Sequence, residues 1–192
     1  MLDISIGLSE LKFVKDIHVV ALDGEVKELL FLLEKNFEGE VSIKTVNLLK
    51  YDSQFFEFKI FEEKSIEPNY SLPKKFLYEP NSAIMKAGAF STISKKLNIS
   101  KLHKHSHLYT TEDSIEFPGR HFKIISVLPY SKKVIAKQLS KTKANITTRN
   151  FPETVAQIRK KFNIKDGGEL YLFFTTNLNN EKIVIVTEQI KN

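Results

Sequence analysis

Between Ser131 and Lys165 the sequence places ten basic residues against a single acid, Glu153. They are Lys132, Lys133, Lys137, Lys141, Lys143, Arg149, Arg159, Lys160, Lys161 and Lys165. Ammonium and guanidinium groups at this density neutralise phosphates and release their counterions. Asn145, Thr147, Thr148 and Asn150 lie inside the run and add directional hydrogen-bonding groups. If residues 144–149 form a strand, Asn145, Thr147 and Arg149 share one face of it. With Ile146 turned to a core, that face looks outward beside lysines carried on the flanking helices. Lys132, Lys133, Lys141, Lys143, Asn145, Thr147, Arg149, Lys160 and Lys161 are therefore the candidate nucleic-acid contacts. The plainer alternative is that the lysines only solvate two amphipathic helices.

Two other groups could do chemistry. His103, His105 and His107 would project from one face of an extended strand, and imidazole is the commonest metal-binding side chain. No carboxylate follows until Glu112 and Asp113, so structural or surface histidines are the better reading, and no metal site is assigned. Tyr78, Glu79, Asn81 and Lys86 flank a helix start where Tyr78 could stack on a base. A tyrosine in that place is more often a lid on a core, and Glu79 argues against a phosphate there. No catalytic constellation is present. The seven glycines form no G-x-G turn, there is no P-loop and no H-E-x-x-H, and Ser140 with Lys143 makes an S-x-x-K without its partner motifs.

The elements that must position these groups follow from hydrophobic period and punctuation. With 192 residues, 42% of them hydrophobic, the chain can build a real core. Zero cysteines exclude disulfides, thiolate metal sites and cysteine nucleophiles. No apolar run is long enough for a membrane helix, and a cytoplasmic location is expected. Charge is uneven. Residues 1–72 carry 8 Lys/Arg and 14 Asp/Glu, residues 73–130 carry 9 and 4, and residues 131–192 carry 12 and 5. An acidic beginning and a basic remainder point to an anionic partner for the latter.

Residues 3–14 read as a short amphipathic helix. A hairpin turning at Asp23-Gly24 follows, then two strands in residues 41–61. The proline-containing stretch 64–75 reads as a linker. Asn81 is placed to cap a helix running to about Leu97. Beyond it come strands around 107–111 and 122–128, and a helix capped by Ser131 and reaching about Thr142. A strand at 144–149 leads to a helix with Pro152 in its first turn, stopped by Gly167-Gly168. Two last strands turn at Asn179-Asn180. The fold class is α+β: a small antiparallel sheet with a helix, then a mixed α/β domain in the order β-β-α-β-α-β-β. The expected spans are 1–72, a linker and helix over 73–104, and 105–192.

The stretches FLYEPNSAIMKAGAF, KLHKHSHLYTTE, FPGRHFKIISVLPYSKK and KANITTRNFPETVAQIRKKFNIKDGGELYLFFTT occur in that order. Together they resemble the C-terminal part of class I S-adenosylmethionine-dependent methyltransferases of a Bacteroidetes type. The opening, MLDISIGLSELKFVKDIHVVALDGEVKELLFLL, is similar to the ferredoxin-like segment that follows the catalytic core in those proteins. The resemblance implies a ferredoxin-like segment over 1–72 and a THUMP-like domain over about 105–192. It implies RNA as partner, tRNA or rRNA, held and presented to a catalytic domain of the same polypeptide. The cofactor-binding G-x-G and the D/N-P-P-type catalytic motif of such enzymes are missing here. The expectation is therefore that S-adenosylmethionine belongs to a catalytic domain outside this chain, and that the chain alone binds no cofactor and is inactive. The resemblance begins at Met1, which reads as an internal start. The alternative function is a protein-interaction module that docks the catalytic domain without touching RNA.

Overall fold

The computed structural model describes residues 3–190 and divides into two compact units. Met1, at which the family resemblance begins, lies outside the described residues. One unit holds the residues up to Pro68 together with Pro80–Asn98; the other holds Asn69–Glu79 together with the chain from Ile99 onward. This division differs from the three consecutive spans read from sequence, because the helical stretch 80–98 packs with the first unit.

In the first unit, α1 (Ile4–Glu10) starts at Asp3, whose carboxylate accepts from Ser5 N–H at 2.9 Å. Strands β1 (Val14–Leu22) and β2 (Glu25–Leu33) form the expected hairpin. Asp23 and Gly24 both take positive φ, 48° and 80°, as a two-residue primed turn requires. β3 (Ser42–Leu48) and β4 (Ser53–Lys59) complete a sheet of order β2-β1-β3-β4. The sheet is mixed rather than antiparallel, since β3 runs parallel to β1 with Ile17 opposite Ile43. β2 ends beside the start of β1, so the connection through residues 34–41 passes across that end of β1 to its other edge, where β3 begins. α2 (Ile60–Ser65) follows β4.

The helix expected from Asn81 to Leu97 is two helices. Asn81 caps α3 (Ser82–Ala87) by accepting from Ile84 N–H at 3.1 Å. Gly88, at φ 76°, then ends α3 in the left-handed conformation, and α4 (Phe90–Lys96) starts afresh. Ala89 cannot cap α4. The Glu63 carboxylate accepts the N–H groups of Phe90, Ser91 and Thr92 at 2.7–3.1 Å in its place. α3 packs on β1, β2 and β3, over Ile17, Val19 and Ala21.

The second unit is a seven-stranded sheet of order β6-β7-β5-β8-β11-β10-β9. Its strands are β5 (Phe76–Pro80), β6 (Ser100–Lys101), β7 (Tyr109–Thr111), β8 (Gly119–Pro129), β9 (Lys143–Arg149), β10 (Lys165–Thr176) and β11 (Lys182–Gln189). Helices α5 (Lys132–Leu139) and α6 (Val155–Phe162) complete the expected β-β-α-β-α-β-β order from β7 onward. Apolar clusters pack on both sheet faces, although Ile125 and Val127 of β8 stay about half exposed. Ile135 and Leu139 of α5 and Ile158 and Phe162 of α6 pack with Ala144, Leu172, Phe174 and Val184 on one. Leu102 and Leu108 pack with Phe122, Phe173 and Ile185 on the other.

Two boundaries shift. α6 is capped by Thr154 in a reciprocal arrangement with Gln157, so Pro152 precedes the helix instead of opening it. α6 ends at Asn163, in the left-handed conformation at φ 54°. Gly167 and Gly168 instead make a bulge inside β10, where the register to β9 jumps between Lys165 and Leu170. Among the described residues no helix is long and apolar enough to cross a membrane.

Candidate nucleic-acid interface

α5 buries Ile135 and Leu139 and exposes Lys132, Lys133 and Lys137. Lys133 and Lys137 stand one turn apart on the same ridge. Ser131 holds the helix start by accepting from Val134 N–H at 3.2 Å. α6 exposes Lys160 and Lys161 in its last turn, where cations also offset the helix dipole. The α5–β9 turn meets the end of α6, with Lys141 N–H donating to Asn163 O at 3.0 Å. Lys165 N–H donates to Thr142 O at 2.9 Å, and Lys165 stands opposite Lys143 in the sheet register. Lys141, Lys143 and Lys165 thus gather where β9 and β10 begin. Lys132 and Lys133 lie at the far end of α5, an eight-residue helix spanning about 12 Å.

Lys161 is partly committed. Its Nζ lies 2.9 Å from Tyr130 Oη and 3.0 Å from a Glu153 oxygen, and Tyr130 also donates to Glu153. These bonds hold the lysine in its charged form, Tyr130 contributing most, and lower the Glu153 carboxyl below its usual range.

The strand residues sit elsewhere than expected. Asn145, Thr147 and Arg149 do share a face, opposite Tyr171, Phe173 and Thr175 in register. That is the Phe173 face of the sheet, whereas α5 and α6 cover the Leu172 face. The three are therefore not beside the helix-borne lysines. Asn145 is spent on the bulge, donating from Nδ2 to Gly168 O at 2.9 Å. Arg149 pairs with buried Glu79 at 2.7 Å, and Arg120 holds the same carboxylate through its Nε at 2.9 Å. Arg149 is an anchor for a buried acid, which sequence spacing does not reveal because Glu79 lies 70 residues away. Arg159 is likewise paired, with Asp166 at 2.5 Å. Lys132, Lys133, Lys137, Lys141, Lys143, Lys160 and Lys165 make no ion pair among the described residues. Lys137 and Lys165 thus join the exposed set; their place in the basic run was the available signal.

The remaining groups are structural. Residues 103–107 form a turn, not a strand, so the three imidazoles share no strand face. His103 bridges Asn150 Nδ2 at 2.9 Å and Asn180 Oδ1 at 3.1 Å. His107 has its pKa pushed down to about 4, chiefly by burial and then by Lys101 and Arg149. Among the described residues no group of three or more metal-ligating side chains forms. Tyr78 is fully buried, and its hydroxyl accepts from Ile115 N–H at 3.0 Å, so it is not available to stack on a base.

Comparison with known proteins agrees with this architecture. Residues 119–189 match the THUMP domain-like family, and residues 76–118 match a family described as a ferredoxin-like domain. The ferredoxin-like match therefore lies C-terminal to the 1–72 stretch for which that fold was expected. No curated protein matches. Among solved structures, the crystal structure of a putative methyltransferase from Porphyromonas gingivalis W83 is similar at 36% identity and a TM-score of 0.87. The match covers 96% of this chain and 48% of that one, so this chain spans about half the length of its relative. The chain accordingly resembles a ferredoxin-like domain over residues 76–118 and the THUMP domain-like family over residues 119–189.

Proposed function

We propose that the second unit binds RNA and presents it to a methyltransferase catalytic domain. The observation that carries the reading is the coincidence of the THUMP domain-like match with the exposed lysines of α5, α6 and the starts of β9 and β10. The contact set is Lys132, Lys133, Lys137, Lys141, Lys143, Lys160 and Lys165, with Lys161 contributing through its charge. A lysine-dominated surface with few committed hydrogen-bonding groups grips the phosphate backbone and reads shape more than sequence. tRNA and rRNA are the fitting substrates, and a cytoplasmic location gives access to both. Methyl transfer from S-adenosylmethionine belongs in this reading to a catalytic domain other than the two units described.

The test is binding of labelled tRNA to the 192-residue chain across a salt series. Engagement of three to five phosphates gives a slope of log K against log salt of roughly −2 to −4. The K133A/K141A/K143A variant is expected to weaken binding at least tenfold and flatten the slope without changing the melting temperature. Arg149→Ala is expected to lower the melting temperature, since it strips a partner from buried Glu79. Absence of tRNA binding at low salt, or unchanged affinity in the lysine variant, would sink the proposal.

A further inference from the structure

The first sheet is covered on one side only. α1 and α3 close the face that carries Ile17, Val19, Ala21 and Phe31, with the α1 backbone at Gly7 lying directly against the Phe31 ring. The opposite face is continuous by register. Leu30 and Leu32 of β2 stand beside His18 and Asp16 of β1, Val20 beside Val46, Leu22 beside Leu48, and Val46 beside Phe55 of β4. Phe55 is 70% exposed, Leu30 and Leu32 50% each, and Leu22 and Leu48 nearly as much. A cleft of about 570 Å³ runs past His18, Val46, Phe55 and Leu97. The five large side chains leave on the order of 500 Å² of apolar surface in water, at the upper end of what a monomer tolerates. With a polar rim this approaches the roughly 800 Å² per partner of a stable interface.

Resting on the methyltransferase reading, we propose that this open face is the seat of the half of the enzyme that this chain does not span. The P. gingivalis relative is about twice as long as the matched region, so a polypeptide of this kind carries a further half of similar size. A second copy of the chain is the competing occupant, and the experiment below separates it from the missing half. The open face carries Asp16, Glu28 and Glu57 together with Lys44 and Lys59, Lys44 pairing with Asp16 at 3.0 Å, so its charge is nearly balanced and its centre is apolar. The partner surface is therefore apolar at its centre, opposite Leu30, Leu32 and Phe55.

The chain contains no cysteine, so L30C and F55C each introduce one thiol on the face, and N179C introduces a control at an exposed hairpin turn of the second unit, outside the lysine set. Maleimide labelling is followed by mass spectrometry at each position in the 192-residue chain. The comparison is with the full-length P. gingivalis protein carrying cysteines at the matching positions. The two face positions are expected to label at least tenfold more slowly in the full-length protein, and the control at the same rate in both. Equal rates at the face positions overturn the proposal. So does labelling of the short chain that slows as its concentration rises, which would mean a second copy covers the face. Measuring tRNA binding on the same samples keeps the two readings apart. Protected thiols without RNA affinity defeat only the RNA reading, and exposed thiols with RNA affinity defeat only the docking.

Discussion

The two units solve the same burial problem in opposite ways. The second packs apolar clusters on both faces of its sheet, one under α5 and α6 and the other with Leu102 and Leu108, leaves Ile125 and Val127 of its strands half-exposed, and carries most of its cations outside. It holds 18 Lys/Arg against 9 Asp/Glu, while the first unit holds 11 against 14. The first unit buries one sheet face and leaves leucines and a phenylalanine of the other in water. A finished core with a basic exterior suits a polyanion, whose attraction is electrostatic and strongly salt-dependent. A half-covered sheet with an acidic balance suits a protein surface, whose attraction is apolar and much less so. On the two proposals above, the charge step along the chain corresponds to two kinds of contact and not to one gradient toward RNA.

The largest expected effect separates the two faces of the first sheet. Phe58, 2% exposed, and Phe55, 70% exposed, are three residues apart on β4 and point to opposite sides. Phe58→Ala is expected to cost about 3–4 kcal/mol through lost burial and the cavity it leaves. Phe55→Ala should change stability by less than about 0.5 kcal/mol, because it removes little buried surface. Urea unfolding of both variants checks this. Similar losses in the two would mean that the outer face is already packed, and the contrast between the units would fail.

A smaller effect compares one glycine from each unit. Gly24 and Gly168 both have positive φ, 80° and 85°. A Cβ at Gly24 meets nothing, so Gly24→Ala should cost about 1 kcal/mol of backbone strain alone. A Cβ at Gly168 lands 2.7 Å from Lys143 O, in the sheet edge that carries the candidate RNA lysines. Gly168→Ala should cost about 2–3 kcal/mol and weaken tRNA binding by displacing Lys143. Equal costs would show that the bulge can relax, and that Lys143 is not held in place by it.

What was legible in the sequence follows from how locally each feature is specified. Asp23-Gly24, the Asn81 and Ser131 caps and the alternation of β8, β10 and β11 are all set by residues within a few positions, and they form as the patterns require. Gly88 was just as local a signal for splitting the 81–97 helix, but the continuous apolar period across it masked the break. The parallel pairing of β1 with β3 was not legible, because nothing within a strand distinguishes its partner's direction. The basic run was legible as composition. Its division was not: Arg149 and Arg159 are taken up by Glu79 and Asp166, and which face of β9 meets the helices depends on tertiary packing.

The smallest expected effect is in pH dependence, and it again falls on one unit. Four of the five histidines lie in the second unit, and only His18 in the first. His107 has its pKa lowered to about 4, first by burial and then by Lys101 and Arg149, and burial lowers His121 in the same direction. A histidine that stays neutral when folded binds its proton more readily when unfolded. Its contribution is complete above about pH 6.5 and is lost as pH falls toward 4. The ring keeps some access to water, so solvent screening reduces the loss to about 1 kcal/mol. His107 also sits at φ 51°, a conformation asparagine adopts readily, so His107→Asn removes the titration without forcing the backbone. The difference in unfolding free energy between the wild type and His107→Asn, followed from pH 7.5 to 4.5, should therefore move by about that amount in favour of the variant. A difference that stays flat would mean that the imidazole is as protonatable in the folded second unit as in the unfolded chain, and that the cations around it do not act on it.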